Sequence, residues 1–152
     1  MTYRITGLDP APFRPLFALS DEELETRGMK RMAVTNDGFP CRVSLVDRPI
    51  GEQVILLNHV SHDVANPYRA SHAIFVADAD RAEFVDEVPP VFAPRVLSLR
   101  AFDNDGMMVD ALITRPGEAD SGIRKLFENP EIAYIHAHNA ARGCFSARIE
   151  RC

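Results

Sequence analysis

Short runs of alternating apolar and polar residues, broken by Gly, Pro, Asn and Asp, dominate this chain and predict strands joined by turns. Residues 3–8 alternate weakly and predict a first strand. Asp9 can cap a short helix with Pro10 or Pro12 in its first turn and Phe13, Leu16 and Phe17 on one face. Ser20-Asp21-Glu22-Glu23 is a capping box for a second helix, with Gly28 as its stop. Residues 31–34 predict a strand, and Asp37-Gly38 a turn. Beyond Pro40, residues 43–46 and 53–59 predict a hairpin. The continuous apolar middle of 53–59 is the pattern of a central strand covered on both faces. Residues 60–70 form a polar loop, and 73–77 a short buried strand. The acidic stretch 78–87 predicts a helical turn or two, and Pro89, Pro90 and Pro94 an extended connection.

The second half has clearer punctuation. Residues 96–102 and 107–113 flank Asp103-Asn104-Asp105-Gly106, a hairpin signal. That acidic turn lacks the spacing and terminal Glu of a calcium-binding EF-hand loop. Asp120 or Ser121 caps a helix that turns Ile123, Leu126 and Phe127 inward and ends at Asn129-Pro130. Residues 133–138 and 144–149 then alternate around a loop containing Gly143. Seven or eight strands and three or four short helices result. The class is α+β: a single domain over residues 1–152, with short helices packed on a mainly antiparallel or mixed sheet. The helix before the last hairpin supplies one crossover.

Candidate chemistry concentrates in that last hairpin. Pairing outward from the loop sets His138 opposite Cys144, His136 opposite Ser146 and Tyr134 opposite Arg148. One face then carries Tyr134, His136, His138, Cys144, Ser146 and Arg148, and the other an apolar set that includes Phe145. An imidazole beside a thiol favours thiolate, so Cys144 reads as nucleophile or redox thiol, His138 as its base and Asn139 as an orienting amide, with His136 beside them. The competing reading is a face that meets water or a second layer of the fold.

The 152 residues suffice for one domain with a real core. No stretch resembles a transmembrane run or a signal peptide, which predicts a cytoplasmic protein with no membrane partner. A net charge of −5 without a Lys/Arg cluster argues against nucleic acid. Cys41, Cys144 and Cys152 are odd in number and lack a CxxC spacing, as expected of free thiols.

Three segments, in order and spacing, resemble a bacterial family, domain of unknown function family 1203. They are Gly38-Phe39-Pro40-Cys41-Arg42 running on to Gly51-Glu52; Pro67-Tyr68-Arg69-Ala70-Ser71 with Ile74-Phe75-Val76; and Tyr134-Ile135-His136-Ala137-His138-Asn139-Ala140 with Gly143-Cys144. The resemblance covers about residues 38–151 and implies membership alone, with no activity, cofactor or catalytic residue. Family members often carry Gly at the position of His72, which argues against a site built on His72.

Three functions compete. The first is a small-molecule binding protein or enzyme on the His/Cys face, with Arg42 or Arg69 holding an anionic group and Tyr68 and Cys41 near it. Ion pairs at the surface are the plainer account of each arginine. The second is a metal site of His136, His138 and Cys144, with zinc the natural ion for N/S ligands. The third is a non-catalytic interaction domain, a homodimer joined through an exposed strand edge, in which the cysteines are buried packing. No phosphate loop, dinucleotide fingerprint or nucleophile elbow is present, so the sequence names no cofactor and no reaction class.

Overall fold

The computed structural model describes residues 1–152. Its strands are β1 (Tyr3–Thr6), β2 (Lys30–Ala33), β3 (Gln53–His62), β4 (Ala70–Val76), β5 (Glu83–Val85), β6 (Leu97–Phe102), β7 (Met108–Thr114), β8 (Tyr134–Asn139) and β9 (Phe145–Arg151). Its α-helices are α1 (Asp21–Thr26) and α2 (Ala119–Phe127). Six strands form one sheet in the order β5-β1-β9-β8-β6-β7, and three form a second in the order β2-β3-β4. Every strand pair is antiparallel. The α+β class therefore holds, with two α-helices rather than three or four. Pro10, Pro12 and Pro15 crowd the first predicted helix, and the chain forms a 3₁₀ turn at Arg14–Ala18 instead.

The capping box at Ser20 is present: its hydroxyl accepts from the Glu23 N–H, and Glu23 reaches back to the Ser20 N–H. The hairpin of β6 and β7 closes around Asp103, whose carboxylate accepts the N–H groups of Asp105 and Met107. Helix α2 carries the chain from β7 across β6 to β8, the crossover its position predicts.

Two predicted elements are replaced. The acidic stretch holds strand β5, paired with β1, rather than a helical turn. Residues 43–46 are a turn rather than a strand, and β3 pairs with β2 and β4 rather than with them. Leu45 lies in the left-handed region at φ 55° and donates its N–H to the Cys41 carbonyl at 2.9 Å. This turn joins two cores. Leu45 packs among Tyr3, Leu97, Ile135 and Ile149 between the large sheet and α2, whereas Cys41 and Val43 pack with Leu24, Val54, Ile55 and Ile74 of the small-sheet core. Gly7 permits the junction: a Cβ there would lie 1.9 Å from the Val43 carbonyl oxygen.

The large sheet thus has two unlike faces. Leu97, Leu99, Ala101, Ile135, Ala137, Ala147 and Ile149 point to α2. Arg100, His136, His138 and Arg148 occupy alternate positions, which places them on the opposite face. Ring contacts from β3 and β4 show that the small sheet lies across that face.

Candidate functional site

All five histidines of the chain meet where the two sheets cross. His59 and His72 are register partners on β3 and β4. The His72 ring lies 4.9 Å from that of His138, His62 lies 5.2 Å from His136, and His136 lies 6.4 Å from His138. His59 reaches the group through Phe145, at 6.3 Å.

Two bulges build this cluster. On β3 the register shifts between Val60 and His62, leaving Ser61 as the extra residue, so His62 keeps to the face of His59. On β9 the register shifts opposite Ala137 and His138, leaving Ser146 extra. His138 therefore pairs with Phe145, and His136 with Arg148. The sequence-based register, His138 to Cys144 and His136 to Ser146, is displaced, and Phe145 moves from the expected core face onto the imidazole face. Its ring stands edge-on to His136 at 5.1 Å and His138 at 5.9 Å.

Two of the imidazoles, His136 and His138, are held neutral by their surroundings. Burial pushes His136 down to about 2, with the charges of Arg148, His62, His138 and Arg100 adding to it. Burial pushes His138 down to about 4, partly offset by a hydrogen bond to the Gly143 carbonyl. That bond, 2.9 Å from Nδ1, places the proton on Nδ1. His62 likewise donates from Nδ1 to the Tyr68 carbonyl at 2.8 Å, so its Nε2 accepts from the Tyr134 hydroxyl at 2.7 Å. His136 has no partner at either nitrogen.

Cys144 lies elsewhere. The loop from Asn139 to Cys144 is closed by Gly143 N–H to Asn139 C=O at 2.7 Å, with Gly143 at φ 80°. The Cys144 sulfur accepts from Nη2 of Arg42 at 3.1 Å and from the Asn139 side-chain amide at 3.4 Å. No hydrogen bond joins it to His138. Arg42 also donates from Nε to the Phe145 carbonyl at 2.8 Å and from Nη1 to the Pro40 carbonyl at 2.7 Å. It is 2% exposed and forms no ion pair with a carboxylate. Burial lowers the affinity of its guanidinium for its proton, and the Cys144 sulfur restores part of it.

The residues that sequence reasoning singled out divide between two cavities. Arg42, Asn139 and Cys144 line a cleft of about 650 Å³, together with His72, Arg95 and Arg142. His136, His138, Tyr68 and Arg69 line a smaller pocket of about 200 Å³, together with His62 and Arg100. The His72–His138 ring contact lies between the two. Cys41 lines neither: it is fully buried, and its sulfur accepts the N–H groups of Val43, Ser44 and Ala77. Arg69 is paired with Asp63, and Arg95 bidentately with Asp47. No three His, Cys, Asp or Glu side chains are arranged to hold a metal ion, and the sulfur that the metal alternative needs is turned to Arg42.

Sequence reasoning missed His62 as a member of the cluster, argued against a site on His72, and missed Arg100 of the small pocket and Arg95 and Arg142 of the cleft. The signal for His72 was its position on a strand whose neighbour carries His59 and His62. Nothing local marked the arginines.

A family model described as "Protein of unknown function (DUF1203)" matches residues 38–151. No curated protein and no solved structure gives a match to the chain.

Proposed function

The chain belongs to the DUF1203 family, whose description assigns no activity, and from that premise we propose that it binds a small anionic molecule in the Cys144 cleft, with the thiol as the reactive group. The observation that carries this is Arg42: a guanidinium buried without a carboxylate and donating to the Cys144 sulfur at 3.1 Å. A buried cation needs a counter-charge. An anion in the cleft supplies one.

The cleft chemistry supports the same reading. Its charged lining is Arg42, Arg95 and Arg142, with no Asp or Glu. Arg95 is neutralised by Asp47, whereas Arg142 is exposed and forms no ion pair. The side-chain oxygen of Asn139, a residue of the cleft wall, is buried without a donor. In this site Arg42 takes the electrostatic role that the sequence suggested for His138. His138 instead holds the loop through the Gly143 carbonyl.

The test uses iodoacetate and its neutral analogue iodoacetamide on the native protein. In both, the sulfur attacks the methylene carbon, an S–C bond forms, and iodide leaves with the C–I electron pair. Exposed Cys152 serves as the reference within the same chain. Cys144 is expected to favour iodoacetate over iodoacetamide several-fold more than Cys152 does, and the preference should fall with added salt. Equal preference at the two sites would refute an anion-binding cleft.

A second reading, a homodimer, has its own observation. β7 is an edge strand of the large sheet and leaves Val109 and Ile113 exposed, Ile113 at 61%. Sedimentation analysis of the protein and of Ile113→Lys tests it: a dimer that dissociates in the variant supports pairing there, and a monomer throughout excludes it.

A further inference from the structure

The small pocket has a chemistry of its own. His136 forms part of its wall, is 1% exposed, and has no hydrogen-bond partner at Nδ1 or Nε2. A buried imidazole left unpaired at both nitrogens costs free energy unless something in the pocket meets it. Arg100 is its register partner on β6 and lines the same pocket. The only side-chain hydrogen bond Arg100 makes is from Nε to the Ser98 hydroxyl at 3.3 Å, and it has no carboxylate partner. The other cations close by are already answered: Arg69 by Asp63, and Arg148 by Glu150 and by the Tyr134 ring 3.8 Å beneath it.

We propose that this pocket is a binding site for a small oxyanion, a carboxylate or phosphate group, held by the Arg100 guanidinium and by the N–H of His136. The fork of Arg100 suits two oxygens at once. The neutral imidazole of His136, unpaired at both nitrogens, supplies a further donor. No Asp or Glu lines the pocket, so no carboxylate there repels an anion, and its three imidazoles are not arranged to hold a metal ion. Its volume of about 200 Å³ corresponds to about seven water molecules in the liquid, enough for an anion of a few heavy atoms and below the usual range for drug-sized ligands. Phe102 and Met108 supply its apolar wall. The proposal stands apart from the Cys144 cleft, since it uses neither Arg42 nor Cys144.

The test is a titration of the native protein with inorganic phosphate, and separately with acetate, read on the imidazole nitrogens of His136 and His138 by NMR. Saturable shifts at His136 that weaken about tenfold or more in Arg100→Gln support the site. Arg100→Lys keeps the charge but not the fork, and should retain part of the affinity even if Arg100→Gln folds poorly. Arg142→Gln changes the other cleft and should leave the His136 response intact. Three results would overturn the proposal: no saturable shift at His136, shifts unchanged in both Arg100 variants, or saturation by zinc in place of the anions.

Discussion

Arg42 and Cys144 stand 102 residues apart in the chain, and the guanidinium donates to the sulfur at 3.1 Å. The pair joins the turn that links the two cores to the loop that closes β8 and β9. The same guanidinium ties down the Phe145 carbonyl at the start of β9. One side chain therefore sets both the environment of the thiol and the position of the strand that follows it.

Arg42→Met tests both roles. It leaves the Phe145 and Pro40 carbonyls without this donor, and an unpaired buried polar group costs about 1–3 kcal/mol. Urea denaturation should show a loss of about 2–4 kcal/mol. Native-state alkylation of Cys144 by iodoacetate should fall about tenfold, the effect of removing one charge interaction worth roughly 1.4 kcal/mol.

The histidine cluster predicts a steep acid limb. His136 and His138 are held by burial at about 2 and about 4, against an ordinary 6.5. Unfolding lets each take up a proton below pH 6.5, so the unfolded state binds more protons and stability falls as pH drops. The loss begins near pH 6.5 and continues to about 4 for His138 and about 2 for His136. Each group contributes about 1.4 kcal/mol per pH unit within its window. Denaturation midpoints measured from pH 8 to pH 4 should decline throughout the lower part, and His136→Phe should flatten the decline by about one proton.

Gly7 and Gly143 separate two kinds of glycine requirement. Gly7→Ala drives a Cβ into the Val43 carbonyl and should cost about 3 kcal/mol or more in thermal or chemical denaturation. Gly143→Ala meets open space and bears only the left-handed φ of 80°, a cost of about 1 kcal/mol.

The three thiols should separate by reactivity. Cys152 is exposed, Cys144 half-buried and Cys41 fully buried. Peptide mapping after brief alkylation should find Cys152 and Cys144 labelled and Cys41 untouched until the fold melts. Cys41→Ala should lower stability by about 1–2 kcal/mol, since three N–H groups lose their weak acceptor, and should leave Cys144 labelling unchanged.

Local patterning made much of this fold readable. The capping box at Ser20, the Asp103–Gly106 turn and the inward Ile123, Leu126 and Phe127 of α2 each rest on contacts a few residues apart. What escaped the sequence depends on distant partners or on one-residue shifts. Alternation alone places Phe145 with Ile149, and only the extra Ser146 turns it to the histidines. Residues 43–46 look like a strand because they are apolar, but they are apolar because two cores share them. The arginines of the cleft and pocket left no local signal, since being unpaired is a property of the folded molecule. His62 and His72 join His136 and His138 only once β3 and β4 lie across β8.

The strand order of the large sheet bears on how the molecule comes into being. β1 lies between β5 and β9, and Tyr3 pairs with Arg151. β1 gains no neighbour on that side until residues near 151 leave the ribosome. Tyr3 and Ile5, both fully buried in the folded molecule, stay uncovered by β9 until then. β9 therefore completes the pairing of β1.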